Sequence, residues 1–332
     1  MGVCQNAMFL REYSGSCMDT RTAVEAAGFL LMSIVSIPAN LIIICSFLLT
    51  ADKLLTADTI HCHLALVNLM MAFTRSVPQT LNAFGLRPQL SDVGCKLIFL
   101  TFRSSRGLSI SFTCLLSTYQ AVLVSPATSW LAPLKTKIPQ YLLYIIGFLY
   151  VLYCTTDIST CIHIVSSFVN NTIPPYTFNL GYCFAPYPSF TAYVGIGLGV
   201  MLRDLAFIIL MAVMSGYILC LLYQHHKKVK GLRSSERSQP RGRAETRASR
   251  AVVTLVVLYV IFFGVDNVIW IYSLTFLRVS PIISNIRVFF SILYSSLCPA
   301  VVISTNPKVK ARLMRVQVKR TNSSIETVTS QI

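Results

Sequence analysis

Seven long apolar runs govern what this chain can become. They fall at roughly 23–49, 60–84, 95–123, 141–164, 190–223, 251–277 and 286–304. About 20 apolar residues cross a bilayer core of about 30 Å. No water reaches that core, so each run must close its own backbone hydrogen bonds as a helix. Composition agrees, with 54% hydrophobic and 12% charged residues against about a quarter charged in soluble domains. The reading is an all-α membrane protein, a single seven-helix bundle over 1–304 followed by a tail at 305–332. The first run is too long for the apolar segment of a cleavable leader and is expected to act as its own insertion signal. No internal repeat is visible, which weighs against transporters built from duplicated halves.

Charge sets the expected orientation. The connections 51–59, 124–140 and 224–250 together with the tail hold 18 of the 28 Lys and Arg, whereas the opposite face, with residues 1–22, holds six. The amino terminus is therefore expected outside the cell and the tail inside. The net charge of +16 belongs to the cytoplasmic face, and no folded domain supports a nucleic-acid reading. On the outer face, Cys95 opens the third span and Cys183 lies in the long loop 165–189. In that oxidising compartment a bridge between them would pin the loop over the bundle. Cys4 and Cys17 could also pair, but nothing in the sequence fixes this. Asn170 begins a glycosylation sequon in the same outer loop.

Ionisable residues inside spans are costly and are functional hypotheses by default. They are Arg75 in the second span, Arg103 and Arg106 in the third, Asp157 in the fourth, Arg203 and Asp204 in the fifth and Asp266 in the sixth. Counting about 1.5 Å per residue from the outer ends, Arg75 lies roughly 14 Å deep, Arg106 and Asp266 roughly 16 Å and Arg203 roughly 20 Å. The charges thus share one layer. Two compatible readings stand: an interhelical network, for instance Arg106 or Arg75 with Asp266, or the floor of an outward-facing pocket that meets a ligand. Arg203 and Asp204 are adjacent and diverge by about 100° on a helix, so they are not expected to pair with each other. Arg103 and Arg106 share a face, with Gly107 beside them allowing close backbone approach. Replacing Arg106 with Ala is expected to abolish signalling or surface delivery; a normal surface level with an unchanged response refutes that.

The loop 224–250 carries nine Lys or Arg and two Glu, a composition expected to stay mobile beyond its first turns. In the tail, Val309, Leu313 and Val316 recur at helical spacing among basic residues, which fits a short helix lying on the inner membrane surface. Attraction to anionic lipid accounts for most of this charge. No Gly-rich phosphate loop, metal-spaced His/Cys cluster or nucleophile elbow is present. The seventh span lacks a lysine for a retinal Schiff base. Neither a cofactor nor an enzyme activity is expected.

The segments HLALVN (63–68), TRSVPQTLNAFG (74–85), TFRSSRGLSISFTCLLSTYQAV (101–122), LKTKIPQY (134–141), RDLAF (203–207) and SGYILCLLYQHHKKV (215–229), with Asp266, resemble the vomeronasal type-1 receptor family in order and spacing. The resemblance implies a G-protein-coupled receptor fold. It also implies detection of pheromones or small organic odorants at the plasma membrane and coupling to an inhibitory-class heterotrimeric G protein. The family's framework carries over to Arg103, Arg106, Arg203, Asp204, Asp266, Cys95 and Cys183. The implied G-protein face holds Gln120, Lys135, Lys137, His225, His226, Lys227 and Lys228. The third span ends in Ser117-Thr118-Tyr119-Gln120, without the acidic-Arg-Tyr triplet of rhodopsin-like receptors, as in the family. Cys298-Pro299-Ala300 stands where the family more often has Ser-Pro-Phe, which marks a divergent member. The rival readings are a bitter-taste-type receptor and a co-receptor of the same fold that binds no ligand. A channel would need a polar stripe through the full membrane thickness, and the polar layer here is confined to mid-depth.

Overall fold

A computed structural model describes residues 20–48, 55–86, 90–168, 176–231, 240–275, 281–306 and 309–311. Cys4, Cys17, Asn170, loop residues 232–239 and the tail from 312, with Leu313 and Val316, lie outside the described residues, as do the side chains of His225, His226 and Lys228.

Seven helical segments form the bundle. They are α1 (Thr20–Leu48), α2 (Thr56–Met71, continued by a π turn Ala72–Ser76 and by Val77–Ala83), α3 (Asp92–Val124), α4 (Leu134–Cys161), α5 (Phe190–Gly231), α6 (Pro240–Thr275) and α7 (Pro281–Thr305). Among the described residues, six are long and apolar enough to cross a membrane. The exception, α2, is divided by its π turn into pieces of 16, 5 and 7 residues but is helical without a break from 56 to 83.

The π turn has a local cause. Pro78 has no N–H to give to the carbonyl four residues back, and its ring crowds that carbonyl. The freed oxygen belongs to Thr74 and accepts instead from the Tyr182 hydroxyl at 3.2 Å. One residue more per turn then turns the preceding side chains relative to those that follow.

Helix α3 is the hub, packing against α2, α4, α5 and α6. In its most apolar window 72% of residues are buried, against 22% in α5, so lipid meets α5 far more than α3. Ser91 caps α3 by accepting from the Gly94 N–H at 3.2 Å, with Asp92 in the first turn complementing the helix dipole. At the other end of the bundle Lys135 donates to the Ser125 carbonyl at 2.7 Å, satisfying a helix-terminal acceptor with a cation. α1 is tied to α7 through Ser36 and Asn40, both of which donate to the Ser295 carbonyl at 3.1 and 3.2 Å.

Two apolar clusters bracket a polar layer along α3 and α4. The larger, with Phe112, Leu116, Tyr153, Tyr259 and Tyr294, fills the bundle toward the Lys135 end. The smaller, with Cys95, Phe99, Cys161, Tyr182 and Cys183, lies under the connection between α4 and α5. Residues 103, 106 and 157 fall between them.

That connection holds a hairpin absent from the sequence reading. β1 (Thr177–Asn179) pairs antiparallel with β2 (Phe184–Pro186), with Phe178 opposite Ala185. Its turn uses Gly181 at φ 91°, a conformation costly for residues with a Cβ, and Asn179 accepts from the Gly181 N–H at 2.7 Å. Cys183 is joined to Cys95 by a disulfide. Asp92 accepts from both the N–H and the hydroxyl of Ser166, at 2.7 and 2.6 Å.

Two departures concern helix length. α5 continues to Gly231 and α6 begins at Pro240, so much of the loop expected to be mobile is helical. Intrahelical hydrogen bonds do not stop where the membrane does, and Pro240 at a helix start has no N–H to leave unsatisfied. Val309 is fully buried and joins the main core cluster, so it packs on the bundle rather than on a lipid surface.

Candidate functional site

The charged layer surrounds a cavity of about 120 Å³ beneath the hairpin. An enclosed apolar cavity of similar size, about 150 Å³, accommodates a benzene-sized molecule. Its wall combines aromatic side chains, among them Phe99, Phe102, Phe178 and Trp270, with five arginines. Trp270 packs closely against α5 because position 197 is glycine; a Cβ there would enter the indole ring. Tyr187, in the segment after β2, also lines the cavity, and burial pushes its phenol above the ordinary range.

Two ion clusters share α3. In the first, Asp266 on α6 accepts from Arg106 on α3 at 2.6 Å and from Arg287 on α7 at 2.9 Å. Asp266 is 4% exposed, so both of its oxygens are committed in a dry setting. Tyr259 donates to the Arg106 carbonyl at 3.4 Å. In the second, Arg203 on α5 donates to Asp157 on α4 at 3.1 Å, to Asp204 at 3.0 Å and to the Thr156 hydroxyl at 2.7 Å. Its guanidinium also lies 4.3 Å from the Tyr153 ring centroid, a stabilising placement. Arg103 approaches Asp157 only to 3.8 Å. Its Nε and Nη2 are buried without hydrogen-bond partners.

These contacts correct two expectations and decide between two alternatives. Arg203 and Asp204 do pair, although their Cβ atoms diverge, because the long arginine stem folds back to its neighbour. Asp266 is met by Arg106 and not by Arg75, whose Nη1 instead donates to the Tyr182 hydroxyl at 3.4 Å. Arg103 and Arg106 serve different clusters despite their spacing of three, one turned toward Asp157 and the other toward Asp266. Gly107 has the role anticipated for it: a Cβ would overlap the Tyr153 ring, so α3 and α4 meet closely there. Sequence reasoning did not single out Arg287. The available signal was an arginine barely inside the seventh span. Tyr182 carried no signal beyond its position beside Cys183.

On the opposite end of the bundle Lys137 and Lys227 are exposed and Lys135 is engaged with Ser125. Gln120 is 5% exposed, so in this conformation it is enclosed by the bundle rather than presented on that face, a departure from the expected G-protein surface. It lies on the most buried helix, where even the last turns are surrounded.

The profile of the vomeronasal organ pheromone receptor family matches residues 26–315. The chain belongs to this family. Olfactory receptor class A-like protein 1 of Danio rerio is 42% identical over 301 residues, 90% of this chain and 94% of that protein. Vomeronasal type-1 receptor 90 of Rattus norvegicus is 31% identical, covering 81% of this chain and 85% of its own. Vomeronasal type-1 receptor 4 of Homo sapiens is 29% identical, covering 80% and 87%. The family match runs through all seven helices and both ion clusters. A multi-pass membrane receptor is thus the frame in which the cavity and the charged layer are to be understood.

Proposed function

We propose that this member of the vomeronasal receptor family is a chemosensory receptor of the plasma membrane. A small organic ligand, of the pheromone or odorant kind, enters from the Cys95 end, and a heterotrimeric G protein, of the inhibitory class, is engaged at the Lys135 end. The excess of basic residues at the latter end supports a cytoplasmic position for it and an extracellular amino terminus. In that orientation Asn170 is available for glycosylation, and the basic charge of the tail from 305 is on the side of the inner membrane surface. Lys137 and Lys227, with Lys135, Lys228, His225 and His226 nearby in sequence, then face the G protein, and Gln120 becomes reachable as the helices part.

The observation that carries this reading is the charged layer that lines the cavity. A ligand that competes for Asp266 or Arg203 alters the contacts of α3 with α6 and α7 or with α4 and α5. A local change of charge pairing can bias a helix arrangement in this way. The reading is tested by G-protein activation in cells with surface expression confirmed, using steroids, bile acids, aromatic acids and small volatiles. A specific response lost on changing Arg103, Arg106 or Asp266 at normal surface level is the expected result. Silence across the panel with intact delivery overturns the ligand-gated reading in favour of a co-receptor.

A further inference from the structure

Arg75 is the best-buried arginine of the layer and the worst-paired. It is 3% exposed, and among the described residues no carboxylate comes within ion-pair distance. Its polar contact there is the 3.4 Å bond to Tyr182, its Nε is buried with no partner, and its guanidinium lies 5.3 Å from the Phe102 ring centroid. A buried charge with no counter-charge is strongly unfavourable, more so at membrane depth. An aromatic face offsets only part of that.

The chain nevertheless builds this position deliberately. Arg75 sits within the π turn that Pro78 induces, a device found often at functional sites, and it lines the cavity. The wider balance points the same way. Among the described residues, five arginines (75, 103, 106, 203 and 287) meet three aspartates (157, 204 and 266), a surplus of two positive charges.

We propose that Arg75 forms an anion-binding subsite of the cavity, taking a carboxylate or sulfonate of the bound ligand or a free small inorganic anion. The guanidinium fork suits a planar two-oxygen anion. Tyr182 ties the subsite to the hairpin, since its hydroxyl both accepts from Arg75 and donates to Thr74. The proposal deepens the receptor reading and rests on it, naming the charge a ligand brings and the residue that meets it.

The test is thermal unfolding of the purified full-length receptor in lipid nanodiscs in chloride-free, low-salt buffer. The probes are sodium benzoate, neutral isosteric benzamide and sodium chloride. With benzoate at about ten times its Kd, Tm rises by roughly 3–6 °C, whereas benzamide at the same concentration leaves it unchanged. Arg75→Gln removes the benzoate shift, and Arg75→Lys, which keeps a cation but not the fork, weakens the apparent affinity severalfold. If chloride alone reproduces the shift and competes with benzoate, the subsite holds a free inorganic anion. If only benzoate acts, it reads a ligand carboxylate.

An equal shift with benzamide, a shift that survives in Arg75→Gln, or no shift in the wild type up to tens of millimolar overturns the proposal. Should Arg75→Gln fail to fold, an unchanged affinity in Arg75→Lys does the same. Tm reads binding without a G protein, so a silent signalling assay leaves this subsite standing, and a missing anion effect leaves the receptor reading standing.

Discussion

Asp266→Asn isolates the contribution of one carboxylate that serves two helices. The wild-type side chain accepts from Arg106 at 2.6 Å and Arg287 at 2.9 Å, and it is 4% exposed. Asparagine keeps the shape and one acceptor oxygen, but it leaves two arginines facing each other without an intervening charge. Removing one partner of a buried pair costs about 3–5 kcal/mol. The arginine side chains here are each 21% exposed, so water from the cavity screens them and the lower end, about 3 kcal/mol, applies. At about 2–4 °C per kcal/mol for a chain of this order of size, Tm falls by roughly 6–12 °C.

The companion variant Arg287→Gln behaves differently, because Arg106 and Asp266 remain as a one-to-one pair and the layer loses a surplus positive charge. Its expected loss is below about 1 kcal/mol. Both are read by thermal unfolding of detergent-solubilised receptor and by surface labelling of cells. The reasoning is refuted if Asp266→Asn unfolds within about 2 °C of wild type, or if Arg287→Gln is as damaging as Asp266→Asn.

Three further outcomes are expected. Gly107→Ala drives a methyl into the Tyr153 ring, whereas nothing lies within 4 Å of a Cβ at Gly264. The first therefore loses about 1–3 kcal/mol and the second gains up to about 1 kcal/mol from helix propensity, a difference of sign that Tm resolves. Cys95→Ser frees the hairpin by opening a closure that spans 88 residues. Chain entropy sets a ceiling of about 4–5 kcal/mol, and helices that persist in the unfolded membrane state hold the loss well below it. Mass spectrometry of non-reduced peptides together with surface labelling checks both the bond and its effect. Asn40→Leu removes a donor to the Ser295 carbonyl but leaves the Ser36 hydroxyl on that oxygen. The expected loss is about 1 kcal/mol, read as a Tm shift, and a much larger loss means that α1 and α7 depend on Asn40 alone.

What the sequence determined by itself was the solvent and the set of spanning segments. Hydrocarbon cannot satisfy a bare peptide group, so runs such as 95–123 and 190–223 had one available structure whatever they packed against. The cost of ionisable groups at depth also placed Arg75, Arg106 and Asp266 in a common layer, because depth along a helix follows from counting residues. Partner choice was not legible in this way. It depends on helix rotation and on how far a side chain reaches, which is why Arg203 folds back on Asp204 and why Arg103 and Arg106 part company.

The position of Arg75 shows the limit most clearly. Pro78 can be read from the sequence, but an α-helical count gives no sign of the extra residue in the turn before it. Nor does the count show that the carbonyl released at Thr74 meets Tyr182 from a loop more than a hundred residues away. Only the packed bundle brings the hairpin, the π turn and the arginine together. Depth is a local property of each helix, whereas pairing is settled by the arrangement of all seven.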